Sequence, residues 1–118
     1  MVKVKITHGQ LVKACLDYLQ WVGKTQKIYA FKSASGQVQT QEGRFFTSGK
    51  AGCPDITCCM GGFIGVECKT GKDTQSALQK KAQAEIEAAG GKYYVIRSLE
   101  ELRKIFPICQ SLNYDLIK

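Results

Sequence analysis

The chain has 118 residues, a length that suits one domain, residues 1–118, with one modest hydrophobic core. Lysine and arginine number 17 against 10 acidic residues, so the formal net charge is +7. A small domain this basic commonly binds a polyanion, most often nucleic acid, although a basic surface can also serve solubility alone. No segment approaches the roughly 20 apolar residues that span a bilayer, and no secretory signal is expected after Met1. A cytoplasmic protein without a membrane partner is therefore predicted.

Six cysteines raise the alternative of a thiol or zinc protein. They occur at positions 15, 53, 58, 59, 68 and 109. Cys58 and Cys59 are adjacent, no Cys-x-x-Cys pair is present, and His8 is the single histidine, so a tetrahedral zinc site is not favoured. A disulfide framework is equally unexpected in a reducing cytoplasm. Most of these cysteines are predicted to be small buried apolar residues.

The first part of the chain predicts one helix and one strand. Apolar residues recur at helical spacing over about residues 7–21. Thr7 is the expected N-cap, Gln10 its capping-box partner and Gly23 the end of the helix. A strand is expected over residues 28–31.

Glycine and serine punctuate residues 32–52, where two short strands are expected at residues 37–41 and 44–47. Four basic residues, most of them close to this stretch, are candidate contacts to DNA phosphates: Lys32, Arg44, Lys50 and Lys72. A solvated loop is the alternative interpretation of these charges.

The next part predicts a hairpin followed by a helix. Residues 56–60 and 63–69 have the pattern of two strands. A helix is expected over residues 77–89, with Ser76 as N-cap and Gln79 as capping-box partner. The apolar stripe of this helix is predicted to consist of Leu78, Ala82, Ile86 and Ala89.

The last part predicts a strand over residues 93–97 and a helix that Ser98 and Glu101 cap and Pro107 ends. Residues 108–118 are apolar enough to pack on the body of the domain or on a second subunit. The order helix, strand, hairpin, helix, strand, helix predicts a small α/β domain with a mixed central sheet and helices on its faces.

The register of the hairpin decides which side chains share a face. A two-residue loop at Gly61-Gly62 would place Asp55 and Glu67 on opposite faces. A three-residue loop that adds Met60, with Gly62 in the left-handed conformation, sets Asp55 opposite Glu67. This register leaves an unbroken apolar face, which consists of Ile56, Cys58, Ile64, Val66 and Cys68. The three-residue loop is therefore predicted. The other face of the hairpin is then polar and consists of Asp55, Thr57, Glu67 and Lys69.

Two carboxylates that face each other across a hairpin repel strongly unless a cation lies between them. Oxygen ligands from Asp55 and Glu67 suit Mg²⁺ or Mn²⁺, and the backbone carbonyl of Cys68 is placed to be a further ligand. Lys69 is expected to orient or deprotonate an attacking water, or to neutralise charge on a phosphate. The alternative is an exposed salt-bridged cluster of Glu67 with Lys69 or Arg44.

Short motifs at a particular spacing connect the chain to a known family. They are Gly52-Cys53-Pro54-Asp55, Glu67-Cys68-Lys69, Gln79 and Ala88-Ala89-Gly90-Gly91. On these residues, about positions 7–106 resemble the virus-type replication-repair nuclease (VRR-NUC) domain of the PD-(D/E)XK nuclease superfamily. The resemblance implies a restriction-endonuclease-like core of the order αβββαβ.

The resemblance also implies a set of site residues. Asp55 and Glu67 would be metal ligands, Lys69 the catalytic lysine, and Gln79 the glutamine that the family carries near its site. The family usually has a glutamate on its first helix. The alignment puts Gln10 at that position, with His8 nearby, and an amide can bind a metal without adding negative charge.

The activity implied by the resemblance is that of a DNA endonuclease that requires Mg²⁺ or Mn²⁺. Stand-alone members of the family resemble Holliday junction resolvases, which work as dimers. A homodimer that cleaves branched or structured DNA, of the Holliday-junction or flap type, is therefore implied. A non-catalytic DNA-binding module that keeps the nuclease fold is the alternative.

Overall fold

The computed structural model describes residues 5–33, 36–39, 41–43, 45–48 and 50–108, with only the backbone described for residues 36–39 and 45–48. In chain order the elements are α1 (His8–Val22), β1 (Tyr29–Lys32), β2 (Gly36–Gln39), β3 (Phe45–Ser48), β4 (Ile56–Cys59), β5 (Phe63–Cys68), α2 (Ala77–Ala88), β6 (Lys92–Ile96) and α3 (Leu99–Ile105). Each helix and strand named above is present, with its ends within two residues of the expected positions. The C-terminal tail is expected to pack on the body of the domain or on a second subunit. Its residues from 109 onward lie outside the described part of the chain, so this stays a prediction.

The main sheet has four strands in the order β1-β4-β5-β6. Strand β4 is antiparallel to both β1 and β5, whereas β5 and β6 are parallel. Strands β2 and β3 form a separate antiparallel pair between β1 and β4 in the chain. The predicted α/β architecture with a mixed sheet is confirmed.

The hydrophobic core lies between one face of this sheet and the helices α1 and α3. The hairpin contributes the apolar face predicted for it, because five alternating side chains are each at most 4% exposed: Ile56, Cys58, Ile64, Val66 and Cys68. The helices contribute buried residues that include Leu11, Cys15, Leu19, Leu102 and Phe106. Since side chains alternate along a strand, the opposite face of the hairpin carries Asp55 and Glu67.

Helix α2 packs against that opposite face and connects the parallel strands β5 and β6. Its predicted apolar stripe is wrong in part. Ala82 is buried and Ile86 is half-buried, but Leu78 and Ala89 are exposed. The cause is that the first turn of α2 lies over the loop before β4, where Gly52 meets the backbone of Leu78, and not over the sheet.

Gly52 makes this close contact possible, and its replacement gives a stability prediction. Its φ is 80°, and a Cβ at this position would lie 2.4 Å from the carbonyl oxygen of Leu78. We expect Gly52→Ala to lower the free energy of unfolding by about 2–3 kcal/mol, since left-handed strain of about 1–2 kcal/mol adds to a backbone collision. Urea denaturation followed by circular dichroism measures the loss.

Gly61→Ala is the matched control. Gly61 also has a left-handed φ, 75°, but a Cβ there meets nothing within 4 Å. This variant isolates the cost of the backbone conformation and is expected to lose only about 1 kcal/mol. Equal losses in the two variants would contradict the assigned contact between Gly52 and α2.

Candidate functional site

The hairpin loop brings the two carboxyl groups together. Cys59 pairs with Phe63, so the loop has three residues, as predicted. The left-handed residue is Gly61 and not Gly62, because the amide of Met60 donates to the carbonyl of Gly62 (3.1 Å) and the chain reverses at the middle of the loop. One residue beyond the Ile56–Val66 pair, the same register sets Asp55 beside Glu67.

Three potential ligands meet at this end of the sheet. His8, Asp55 and Glu67 each offer one ligand atom, and these atoms lie within 4.8 Å of one another. His8 Nε2 is 3.1 Å from Asp55 Oδ2, the oxygen that also accepts a hydrogen bond of 2.8 Å from the amide of Cys68. The first residue of α1, the residue before β4 and the end of β5 thus form one cluster.

Gln10, expected to contribute from the first helix, is instead used within that helix. Its side-chain oxygen accepts a hydrogen bond of 2.9 Å from the backbone amide of Thr7. The backbone amide of Gln10 in turn donates to the Thr7 hydroxyl (3.1 Å). This capping box holds Gln10 against the helix end, while His8 reaches Asp55. In this structure the residue of α1 that contacts the carboxyl pair is thus His8, and the site position expected of Gln10 stays a prediction. The capping pattern itself contained this signal, since it already gave Gln10 another role.

Glu67 is the buried member of the cluster, with 1% of its surface exposed. Burial, together with a hydrogen bond to Asp55 and the charge of that group, raises the pKa of Glu67 to about 8. Burial also disfavours ionised Asp55, but hydrogen bonds from Glu67 and the Cys68 amide, with the contribution of His8, outweigh it and lower the pKa of Asp55. At neutral pH the metal-free pair therefore shares one proton, held by Glu67. The alternative was an exposed salt-bridged cluster, but Glu67 is buried and forms no ion pair with Lys69, while Arg44 lies outside the described residues.

Tyr93 supports Glu67 and was not singled out from the sequence. Its hydroxyl donates to Glu67 Oε2 over 3.3 Å. The parallel register pairs Tyr93 with Gly65, which puts the ring on the same face as Glu67. Burial, with the nearby carboxyl groups, raises the pKa of Tyr93, so the hydroxyl stays a donor. Sequence patterns do not give the register of parallel strands that are joined through a helix, and no local signal marked this residue.

Gly65 and Pro54 set the position of Asp55. A Cβ on Gly65 would lie 2.7 Å from Cγ of Pro54, so the proline ring rests directly on the strand at this point. Pro54 is buried and precedes Asp55 in the chain. The contact therefore holds the start of β4 against β5, and with it the carboxyl group of Asp55 beside that of Glu67.

Lys69 and Gln79 form a second pair at the edge of the cluster. Lys69 Nζ donates to Gln79 Oε1 over 2.8 Å, and the same oxygen accepts from the amide of Ser76 (2.9 Å). Gln79 thus caps α2 and holds Lys69 at once, in keeping with both roles considered for it. The positive charge of Lys69 partly offsets the rise in the pKa of Glu67, so the ammonium group acts electrostatically on the carboxyl pair.

Cys68 contributes through its backbone. Its side chain is fully buried and hydrogen-bonds with that of Cys15 in the core. Its amide points to Asp55, and in an extended strand the carbonyl of a residue points to the same edge as its amide, so the Cys68 carbonyl is directed toward the cluster.

The other cysteines do not build a thiol site in the part of the chain that the structure describes. Cys58 is buried, and desolvation raises the pKa of its thiol to about 12. Cys59 lies on the exposed face, so the two adjacent thiols point to opposite sides. The metal-binding group found among the described residues contains no cysteine, and the zinc or thiol alternative gains no support.

Of the four basic residues proposed to contact phosphates, the structure describes three. Lys32, at the end of β1, and Lys72, in the turn after β5, are exposed. Lys50 is exposed and pairs with Glu85 of α2 over 3.2 Å. Arg44 lies outside the described residues.

The donor set fits a divalent cation. It combines one imidazole nitrogen with two carboxyl groups, one of them buried and with a raised pKa. Carboxylates and carbonyls suit Mg²⁺ and Mn²⁺, and an imidazole suits transition metals.

No family model matches the chain, and no curated protein and no solved structure is detectably similar. The likeness to the VRR-NUC domain therefore stays a prediction from the motifs. Among the described helices, none has the length and apolar character needed to cross a membrane.

Proposed function

We propose that this protein is a DNA endonuclease that depends on a divalent metal and hydrolyses phosphodiester bonds in the manner expected of a VRR-NUC domain. The observation that carries the proposal is the cluster of His8, Asp55 and Glu67 with Lys69 beside it. Two adjoining carboxyl groups whose pKa values are shifted in opposite directions, with a lysine beside them, are typical of functional sites. The motifs and the net charge of +7 supply the choice of substrate.

In this proposal His8, Asp55 and Glu67 hold the metal, with the Cys68 carbonyl directed at the same place. A bound Mg²⁺ or Mn²⁺ supplies charge that polarises the scissile phosphate and lowers the pKa of water. Asp55 keeps its geometry through the amide of Cys68, and Glu67 through the hydroxyl of Tyr93. Both carboxyl groups are thus held in position before a metal binds.

Lys69 acts on the phosphate, and Gln79 holds the side chain of Lys69 in position. The ammonium group is held by Gln79 Oε1 at the start of α2, so its place does not depend on a flexible side chain alone. From there it stabilises the negative charge that develops on the phosphate, or orients the attacking water. Hydrolysis by this route needs no covalent intermediate.

The proposed substrate is branched or structured DNA, bound as a homodimer. These two details rest on the resemblance to Holliday junction resolvases. The exposed Lys32 and Lys72 are available for backbone contacts, which position DNA without reading its sequence. Cleavage is accordingly expected to depend more on DNA structure than on sequence and to weaken as salt is raised.

A cleavage panel tests the proposal. Linear, flap and four-way DNA are incubated with Mg²⁺ or Mn²⁺, using wild-type protein, Lys69→Ala and the control Lys104→Ala. Lys104 is an exposed lysine of α3, outside the residues of the cluster. We expect Lys69→Ala to lose cleavage by about 10²- to 10³-fold, on the scale of removing one group that stabilises transition-state charge, and to keep DNA binding.

The same panel separates the rival function. Gel-shift binding without metal-dependent nicking on every substrate would favour a non-catalytic DNA-binding module. Full activity in a homogeneous preparation of Lys69→Ala would refute the role given to that lysine.

His8 gives a separate prediction about the choice of metal. We expect wild-type cleavage to be about 10-fold faster with Mn²⁺ than with Mg²⁺, because an imidazole ligand is poorly suited to Mg²⁺. His8→Glu replaces the nitrogen ligand by a carboxylate and should reduce this ratio to near one. His8→Ala, which removes the ligand, should weaken activity with both metals. An unchanged Mn²⁺ to Mg²⁺ ratio in His8→Glu would show that His8 does not bind the metal.

A further inference from the structure

A cavity of about 360 Å³ lies beside the acid cluster, on the face of the sheet that α2 covers in part. Its walls come from the sheet, from the residue before Asp55 and from α2. The lining residues used in the argument are Phe31, Thr57, Phe63, Pro54, Ala82 and Ile86. The walls are mainly apolar, and two of them are aromatic rings.

The two aromatic side chains stay partly open to solvent. Phe31 is 45% exposed and Phe63 is 42% exposed, although both line the cavity. Aromatic rings that a fold leaves accessible in a basic domain are suited to stack with nucleobases, since every base has an aromatic face. The hydroxyl groups of Ser33 and Thr57, 2.5 Å apart, add polar groups at the wall.

The cavity and the candidate site are neighbours along strand β4. Thr57, which lines the cavity, follows Asp55 by two residues and shares its face, a separation of about 6–7 Å along a strand. A single nucleotide of an extended strand spans such a distance. Lys50 also lines the cavity, where it forms an ion pair with Glu85, another lining residue, so this wall adds a polar pair without net charge.

We propose that this cavity binds an unpaired nucleobase of the nucleotide next to the scissile phosphate. The inference rests on the proposed nuclease function and specifies its substrate class, because a paired and stacked base is not free to enter a side cavity. The substrate is then DNA with single-stranded nucleotides at the cut, such as a flap or an opened junction, and not intact duplex.

The test compares two pentanucleotides without any metal, so that binding is measured apart from cleavage. One has thymine bases and the other is abasic throughout, with the same phosphates. Fluorescence anisotropy should give about 10-fold tighter binding of the base-bearing strand, as expected when one base stacks on an aromatic side chain. A 2-aminopurine at its centre should become shielded from acrylamide on binding.

Two variants connect the preference to the cavity. Phe31→Ala should bring the two affinities to within about 2-fold of each other. Trp21→Ala is the matched control, an exposed aromatic residue of α1 that does not line this cavity, and it should keep the 10-fold preference. Phe31 is exposed on β1, so its truncation removes no buried contact of the core.

Three results would overturn the inference. Equal binding of the two strands by a wild-type protein that still cleaves in the panel would remove the base site and leave the nuclease proposal intact. A change from dimer to monomer in Phe31→Ala, with the base preference kept, would assign this face to contacts between copies of the chain. Absence of both cleavage and binding would refute the nuclease proposal and the base site together.

Discussion

Replacing Glu67 by glutamine is expected to lower metal-dependent DNA cleavage by on the order of 10³-fold while the fold is kept. The amide has nearly the shape of the protonated acid, which the metal-free protein already holds at neutral pH, and it can still accept the hydrogen bond from Tyr93. It adds no negative charge, so one of the two charged ligands for the cation is lost. Single-turnover cleavage of the best substrate of the panel measures the effect.

Glu100→Gln is the matched control for charge, because Glu100 is an exposed glutamate of α3 and lies outside the acid cluster. It should retain wild-type activity. DNA binding in the absence of metal should be unchanged or tighter in Glu67→Gln, since no positive charge is removed. Retention of more than a tenth of wild-type cleavage by Glu67→Gln would contradict its role as a metal ligand.

The second large effect is a loss of stability of the metal-free protein as pH rises. The pKa of Glu67 is about 8 in the fold and has an ordinary value of 4.5, so between these values the folded state keeps a proton that the unfolded chain releases. Stability therefore falls across this window by up to about 1.4 kcal/mol per pH unit, or on the order of 5 kcal/mol in all. The pKa of Asp55 is lowered in the fold, so ionised Asp55 stabilises the protein at neutral pH. This contribution to stability is lost only as pH falls below about 4.

Urea denaturation in a chelating buffer at several pH values between 5 and 9 measures this loss. Glu67→Gln cannot release a proton, so the fall should be largely absent from it, and the difference between the two proteins removes the contributions of all other groups. Adding Mn²⁺ to the wild-type protein should restore stability most strongly at high pH, because the metal competes with the proton. Parallel pH profiles for the two proteins would show that Glu67 does not carry the proton.

Much of the site was predictable because its sequence signals are local. Only one loop length keeps every apolar side chain of the hairpin on one face, and that condition set Asp55 opposite Glu67 before any tertiary contact was considered. The caps at Thr7 and Ser76 followed for the same reason, since capping residues and their partners are three positions apart.

The sequence by itself thus determined the α/β order, the hairpin register, the caps, and the placement of Asp55 and Glu67 on one face with Lys69. The tertiary structure alone decided that His8 and not Gln10 lies beside the carboxyl pair, that Tyr93 supports Glu67, and that Glu67 is buried, which raises its pKa. It also decided that Pro54 rests on Gly65 and that a cavity opens beside the site. The physical reason is the range of each interaction. Alternation and capping act within a few residues, whereas parallel pairing and the docking of helices on a sheet join distant parts of the chain and leave no local pattern.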